Sequence, residues 1–521
     1  MTKNYNAVKQ ANYYWRLHRK AENEMINIGS ILFIFIYLNI IRKSRSIKSL
    51  YMNSFAFSII LELTVSRGFF IQIGQQQIAY RTAAEIFLFI LSVIILLKKP
   101  IKRKTFSKYA VLFLCLLIGW GGLIFFPPEA KGATMNVPWE DILTGVASLQ
   151  DIRFVSGMYS EIIQVIIYIV IALCAWSNCK TEDWKFLFRV FLKYSRFYIY
   201  VGLVEFVMTY ILGTDLFHEV VDAILGNSQG AISTVLSRGS GYTLTGLTQE
   251  ASQYSFTIMM IIIFNILGYL IDKGNKNLKS TRQEKITVIM SLLLSIVMMS
   301  FSSYLNLFYV FAFAILLVLE LRGNSFLRMW TTIIILFGCC VLIIALLPTI
   351  AQHLSSNSFL GRRINSVVEE MTTIGNGTWL TATSALEYSV RVRLGSAYET
   401  FKLSFARPLF GLGFAATTAH SPLAMLLSGC GFVGSFIYIK TIFYPTPLVS
   451  NKRDKALYLS CIIIFIAITF LNSMSLRPFY ESWNIAFAMA IRYFLMIRHD
   501  ASVQGYWLQQ GKIQWRQINN L

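Results

Sequence analysis

Residues 389–434 read SVRVRLGSAYETFKLSFARPLFGLGFAATTAHSPLAMLLSGCGFVG. Two arginines, Arg391 and Arg393, open this stretch, and the sequence PLFGLG at 408–413 interrupts it. The apolar run that begins at Pro422 is long enough to enter a membrane. The stretch therefore predicts a polar segment that leads into a membrane helix.

The residues before this apolar run form a helix-start pattern. His420 stands directly before Ser421 and Pro422. Serine at the N-cap and proline at the first helical position are typical of a helix start. The unpaired N–H groups and the dipole make a helix start electropositive, which favours a neutral histidine and a bound phosphate. We therefore predict that a helix begins at Pro422 with His420 at its mouth.

The composition predicts an all-α polytopic membrane protein. The chain has 521 residues, of which 55% are hydrophobic, and many apolar runs reach the ~17–25 residues that cross a bilayer. A net charge of +21 would suggest a nucleic-acid partner in a soluble protein. Here most lysines and arginines fall in short loops between apolar runs, as the positive-inside rule expects, so no nucleic-acid partner is predicted.

Three basic loops set the predicted topology. Loops 98–108 and 272–285, and a third that contains Lys452, Arg453 and Lys455, are rich in lysine and arginine and fall on the same side, which is therefore cytoplasmic. The opposite, external side receives segments 127–158, 213–250 and 349–421. About 12 transmembrane helices are expected, or 13 if the N-terminus lies outside.

This topology divides the chain into five regions. They are a basic N-terminal interfacial segment (1–24), a transmembrane bundle (25–348), a large external loop (349–421), C-terminal transmembrane helices (422–497) and a cytoplasmic tail (498–521). A loop as long as the third region is far beyond the usual ~4–6 residues, so we expect a lid, a binding element or a small subdomain there, and we expect it to be partly helical.

Helical spacing separates the two arginines of the quoted stretch. Arg391 has Glu387 four residues earlier, which favours a surface ion pair. Arg393 has no acid three or four residues away on either side, so it is the better candidate for an anionic ligand. Arg362 and Arg363 in the same loop are secondary candidates; pairing with glutamates of the loop is the alternative.

A second external cluster runs from Arg238 to Ser252 and reads RGSGYTLTGLTQEAS. Glycine lets backbone N–H groups approach a ligand, and arginine binds phosphate with two parallel hydrogen bonds. Glu250 stands where the next membrane helix is expected to begin. The alternative is a flexible turn followed by an ordinary acidic residue in a first helical turn.

Common catalytic and metal-binding motifs are missing from the sequence. The GCGFVG sequence at 429–434 matches a dinucleotide-binding pattern, but no strand precedes it, so its glycines are predicted to let a neighbouring helix approach. Zinc, serine-hydrolase and ATPase spacings are absent, and neither a metal nor a cofactor is predicted. Glu205 is the most central charge in an apolar run and is a candidate for the core beneath a site.

Three features resemble the O-antigen ligase and polymerase superfamily. His420 and Ser421, followed by two glycines in the order H-S-x9-G-x-x-G, are similar to its histidine signature. Arg393 and the later PLFGLG sequence resemble the arginine and PLFGVG segment of that family. The cluster from Arg238 to Ser252 is similar to the arginine, glycine and E-x-S segment of its exopolysaccharide polymerases.

The resemblance implies a glycosyltransferase C-type architecture that uses sugars carried on undecaprenyl diphosphate, without a metal or a cofactor. Arg238 and Arg393, with Arg391 beside them, would bind the donor diphosphate. His420 would deprotonate or orient the acceptor hydroxyl. Family members often carry Ser-Arg-Gly near a later helix end, whereas this chain reads SFSSY at 300–304. The role of that arginine is therefore either absent or supplied elsewhere, for example by Arg362 or Arg363.

The expected function is therefore that of a polysaccharide polymerase for capsule, exopolysaccharide or O-antigen. It would join lipid-linked repeat units at the external face of the bacterial cytoplasmic membrane, with its own C-terminus inside. The expected partners are the undecaprenyl-diphosphate-linked donor and acceptor glycans, membrane lipid, a flippase and a chain-length regulator. A ligase that passes the finished glycan to another acceptor is the nearest alternative, and a lipid-linked sugar flippase is the alternative from another class.

Overall fold

The computed structural model describes the following residues: 27–65, 68–73, 76–99, 101, 103–134, 136–137, 139–143, 146–214, 216–226, 244–248, 251–274, 278–298, 306–307, 309–315, 317, 349, 388–443, 452–471 and 481–497. The predicted N-terminal segment and C-terminal tail lie outside these ranges, as does most of the predicted external loop.

The described chain is mostly helical. Its helices are α1 Ile28–Lys43, α2 Ile47–Thr64, α3 Tyr80–Lys98, α4 Arg103–Phe125, α5 Trp139–Leu143, α6 Met158–Asn178, α7 Thr181–Phe206, α8 Leu216–Leu225, α9 Ala251–Gly274, α10 Leu278–Val297, α11 Tyr388–Leu403, α12 Pro422–Phe443, α13 Lys452–Leu471 and α14 Ser482–Ile497. Two short antiparallel strand pairs join β1 Ile71–Ile73 to β2 Gln76–Ile78 and β3 Lys131–Gly132 to β4 Gln150–Asp151.

The described part of the chain contains five helices that are long and apolar enough to cross a membrane. They are Tyr80–Lys98, Arg103–Phe125, Met158–Asn178, Gln253–Lys273 and Pro422–Phe443. Their buried faces join one large hydrophobic core, and many of their remaining apolar side chains are exposed, as expected where lipid replaces water. These features agree with an all-α membrane protein. The total of twelve spans stays a prediction.

The helix start predicted at Pro422 is confirmed. Helix α12 begins at Pro422, and the backbone N–H of Ala424 donates to Ser421 Oγ at 3.3 Å. The backbone N–H of Met425 donates to the Ser421 carbonyl at 3.0 Å, which is the first regular helical bond. His420 therefore lies directly before the cap of this helix.

Helix α12 is broken at Gly431, where φ is 66° and ψ is 179°. Residues 408–413, called here the inserted loop, supply the backbone bonds that the break removes. Leu412 and Gly413 donate their N–H groups to the carbonyls of residues 428 and 429 at 2.7 and 3.0 Å. In return, the N–H groups of residues 432 and 434 donate to the carbonyls of Pro408 and Leu409 at 2.6 and 3.3 Å. The break therefore leaves these four helix groups hydrogen-bonded away from lipid.

Glycines make this close approach possible on both sides of the inserted loop. A Cβ at Gly431 would lie 2.5 Å from the carbonyl carbon of Leu409, and one at Gly119 of α4 would lie 2.9 Å from the Phe410 oxygen. Trp120 Nε1 beside it donates to the Phe414 carbonyl at 2.9 Å. The predicted close approach at 429–434 therefore occurs, but the backbone that approaches is this loop rather than a neighbouring helix.

We expect Gly431→Ala to destabilise the protein strongly. Alanine would need a backbone region that is nearly exclusive to glycine, and its Cβ would overlap the inserted loop, so the two effects together cost ~3 kcal/mol or more. Thermal unfolding of the purified protein measures the change. Gly121→Ala is the control, because a Cβ there meets nothing within 4 Å. Equal stability of the two variants would contradict the role assigned to the break.

Candidate functional site

His420 is held by a serine of helix α11. The backbone N–H of His420 donates to Ser396 Oγ at 3.1 Å, and the same Oγ lies 3.4 Å from Nδ1 of the ring. Ser396 is fully buried, whereas His420 is partly exposed. The serine thus fixes both the backbone and one edge of the imidazole, while the ring remains accessible.

One face of α11 follows the segment 417–421, called here the histidine segment. Ser396 contacts His420, and one turn later Thr400 Oγ1 donates to the Thr418 carbonyl at 3.4 Å. Position 393 lies one turn before Ser396 on this same face, whereas position 391 is rotated away by roughly 140°. Position 393 thus shares the helix face that follows the histidine segment, and a ligand-binding role for Arg393 stays a prediction.

Residues 130–152, called here the cap, hold the histidine segment from another side. Trp139 Nε1 donates to the Thr418 carbonyl at 2.6 Å, and the Thr418 N–H donates to the Ala133 carbonyl at 3.3 Å. Ala415, in the turn that leads here, has a φ of 66°, a conformation that costs a non-glycine residue ~1–3 kcal/mol. Packing against the cap and α12 therefore keeps Ala415 in a backbone conformation that it would otherwise leave.

The Ser396 contact leaves two possible hydrogen-bonding states for the neutral imidazole. If Nδ1 carries the proton, it donates to Ser396 Oγ and Nε2 is the basic nitrogen. If Nδ1 is unprotonated, it accepts from the serine hydroxyl and Nε2 carries the proton. The first state is the one that a general base acting through Nε2 requires, and Oγ can accept both the ring and the backbone N–H.

Glu205 forms a second buried cluster, at the end of the segment that contains Arg238. Its carboxylate is fully buried near the end of α7, two residues before a π-helical turn at Val207–Ile211. The backbone N–H groups of Thr245 and Gly246 each donate to a Glu205 oxygen at 2.7 Å. His218 Nε2 of α8 lies 3.5 Å from the same carboxylate. The central acid predicted from the sequence therefore fastens the loop at 244–248 to the bundle.

The remaining predicted site residues are described incompletely or lie outside the described ranges. The backbones of Arg391 and Arg393 belong to α11, and that is all the structure describes of these two residues. Four other candidates lie outside the described ranges: Arg238 and Glu250 of the second cluster, and the secondary candidates Arg362 and Arg363. Their convergence on His420 stays a prediction.

Sequence reasoning missed the residues that position the histidine. Ser396 and Trp139 carry no motif, and Trp139 is far from His420 along the chain. One signal was present for Ser396: it follows Arg393 by three residues, so any helix that presents position 393 to a site also presents position 396.

Comparison with protein-family models, with curated proteins and with solved structures finds no match to this chain.

We expect Glu205→Gln to loosen the loop at 244–248. An amide has a single acceptor oxygen, so one of the two backbone N–H groups loses its partner. Loss of one charged hydrogen bond corresponds to roughly ten- to hundredfold faster exchange. Hydrogen–deuterium exchange at Thr245 and Gly246 measures it, with Glu219→Gln on the exposed side of α8 as the control. Unchanged protection at both amides would contradict the fastening role.

Proposed function

We propose that this protein is a polysaccharide polymerase that joins undecaprenyl-diphosphate-linked repeat units at the external face of the cytoplasmic membrane. The observation that carries the proposal is the construction around His420. A partly exposed imidazole stands at the mouth of membrane helix α12 and is oriented by Ser396. A histidine at a helix mouth suits chemistry between a hydroxyl group and a phosphate-bearing donor.

The proposed reaction is a glycosyl transfer. A hydroxyl of the acceptor sugar attacks the anomeric carbon of the donor, and a new carbon–oxygen bond forms. The bond from that carbon to the diphosphate breaks, and the lipid diphosphate leaves with the electron pair. Nε2 of His420 takes the hydroxyl proton. Arg238 and Arg393 would neutralise the charge that develops on the leaving group, since guanidinium groups stay charged at any working pH.

A ligase is the second candidate within the same chemistry, because His420 would activate the hydroxyl of either acceptor. A single purified lipid-linked repeat unit separates the two. The polymerase converts it into a ladder of products by itself, whereas a ligase forms no ladder until a second acceptor is added. A flippase would move the lipid without forming any new bond, and it would not depend on His420.

We expect His420→Ala, Arg238→Ala and Arg393→Ala each to abolish most of the ladder without lowering protein abundance. Loss of a general base costs ~10²–10⁴-fold in rate, and loss of one electrostatic donor costs ~10²–10³-fold. Surface glycan from cells is compared with the amount of protein in the membrane. Lys402→Ala is the control, because its ammonium is exposed and paired with Glu399 at 3.0 Å. Normal ladders in all three variants at normal abundance would defeat the assignment.

We expect Ser396→Ala to slow polymerisation by about tenfold, the free-energy equivalent of one hydrogen bond, and to change the pH–rate profile. The serine positions the imidazole, so its removal perturbs the group that titrates. Thr400→Val is the matched control, since Thr400 lies on the same helix face but bonds to a backbone carbonyl. If both variants slow the reaction with an unaltered pH profile, the serine only supports the fold.

A further inference from the structure

Arg407 lies in the turn between α11 and the inserted loop, with its guanidinium against the last turn of α4. A Cβ added at Gly122 would lie 2.9 Å from Nη1 of Arg407, so the missing side chain of this glycine makes room for the guanidinium. The neighbouring Gly121 faces open space, because a Cβ there meets nothing within 4 Å. The side chain of Arg407 is partly buried.

The charge of Arg407 lacks a counter-charge in the described part of the chain, where no residue makes a hydrogen bond or ion pair with its guanidinium. Two other cations of the described chain are paired. Lys402 lies 3.0 Å from a Glu399 oxygen, which raises the pKa of that lysine, and Arg153 lies 3.5 Å from Asp151. A guanidinium never deprotonates in proteins, so partial burial beside a membrane favours a bound anion.

The surroundings of Arg407 are those of a lipid-facing surface. Phe405 is 61% exposed and Leu409 is 60% exposed, although both are large and apolar. The Phe405 ring packs on Phe432 at 5.5 Å, and one helical turn further along α12 Phe436 is also exposed. These three rings are called here the phenylalanine face.

The depth of Arg407 matches a lipid headgroup. Gly122 lies in the last turn of α4, which is a candidate membrane span, so the guanidinium is near the level where hydrocarbon gives way to headgroups. This end of α4 is also opposite the end that carries Arg103 and Lys104. A phosphate held here can continue into an apolar chain along the phenylalanine face.

We propose that Arg407 binds the phosphate group of a membrane lipid whose apolar chain lies along the phenylalanine face. Arginine forms two parallel hydrogen bonds with phosphate oxygens, and phospholipids and polyprenyl diphosphates both offer them. The proposal does not rest on the polymerase function, since it requires only a lipid phosphate at this depth.

Lipid binding by the purified full-length protein tests the proposal. Phosphatidylglycerol and undecaprenyl diphosphate are titrated separately, and bound lipid is counted by native mass spectrometry. We expect Arg407→Ala to weaken binding of at least one of them by about tenfold or more, as expected for a charge-assisted hydrogen-bonded pair. Arg407→Lys keeps the charge without the bidentate geometry, so we expect its lipid affinity to lie between those of the unaltered protein and Arg407→Ala.

Two glycine variants give a matched test that leaves the arginine in place. Gly122→Val puts a side chain where the guanidinium lies and is expected to weaken binding as Arg407→Ala does. Gly121→Val, with the same substitution in the same helix turn, is expected to bind as the unaltered protein does.

Each outcome bears on the proposal. A loss confined to phosphatidylglycerol identifies a structural phospholipid, and a loss confined to undecaprenyl diphosphate identifies the carrier. Unaltered binding of both lipids by Arg407→Ala and Gly122→Val overturns the proposal, whatever the polymerisation assay shows. Equal losses in Gly121→Val and Gly122→Val also overturn it, because the effect would then arise from the helix rather than from the guanidinium.

Discussion

Backbone hydrogen bonding in a low-dielectric environment is the constraint on which this structure depends. A helix that breaks within a membrane exposes N–H and C=O groups that lipid cannot satisfy, and each costs several kcal/mol if left unpaired. Helix α12 breaks at Gly431, and the inserted loop takes over four of its backbone bonds. The break and the loop are therefore one unit, and neither is stable at that depth without the other.

This unit also determines where the histidine segment lies. The chain leaves α11, enters the inserted loop, turns at Ala415 and returns to start α12 at Pro422. The loop is hydrogen-bonded to α12 and packs against α4, and Trp120 of α4 bonds to Phe414 directly after it, so the residues that follow have little freedom. Ser396 and Trp139 then hold the segment from two further sides, so the imidazole of His420 has a defined edge toward α11.

The buried charge of Glu205 follows the same physical rule. A carboxylate inside the bundle is tolerated because two backbone N–H groups and a histidine surround it. The two N–H groups belong to Thr245 and Gly246, so the buried acid also fixes the position of the loop at 244–248. The histidine segment and the loop at 244–248 are thus both anchored by hydrogen bonds, and the proposed chemistry would use this preorganisation.

Local sequence alone determined the class of the protein and the start of α12. Apolar runs of membrane length and the Ser421-Pro422 cap act through neighbouring residues, so no distant contact is needed to predict them. Spacing also indicated Arg393 over Arg391, which stays a prediction. Tertiary structure alone decided what approaches Gly431, which residue orients His420 and what pairs with Glu205. Those partners are distant in sequence, and a periodic pattern reports only that a face is buried, not which segment covers it.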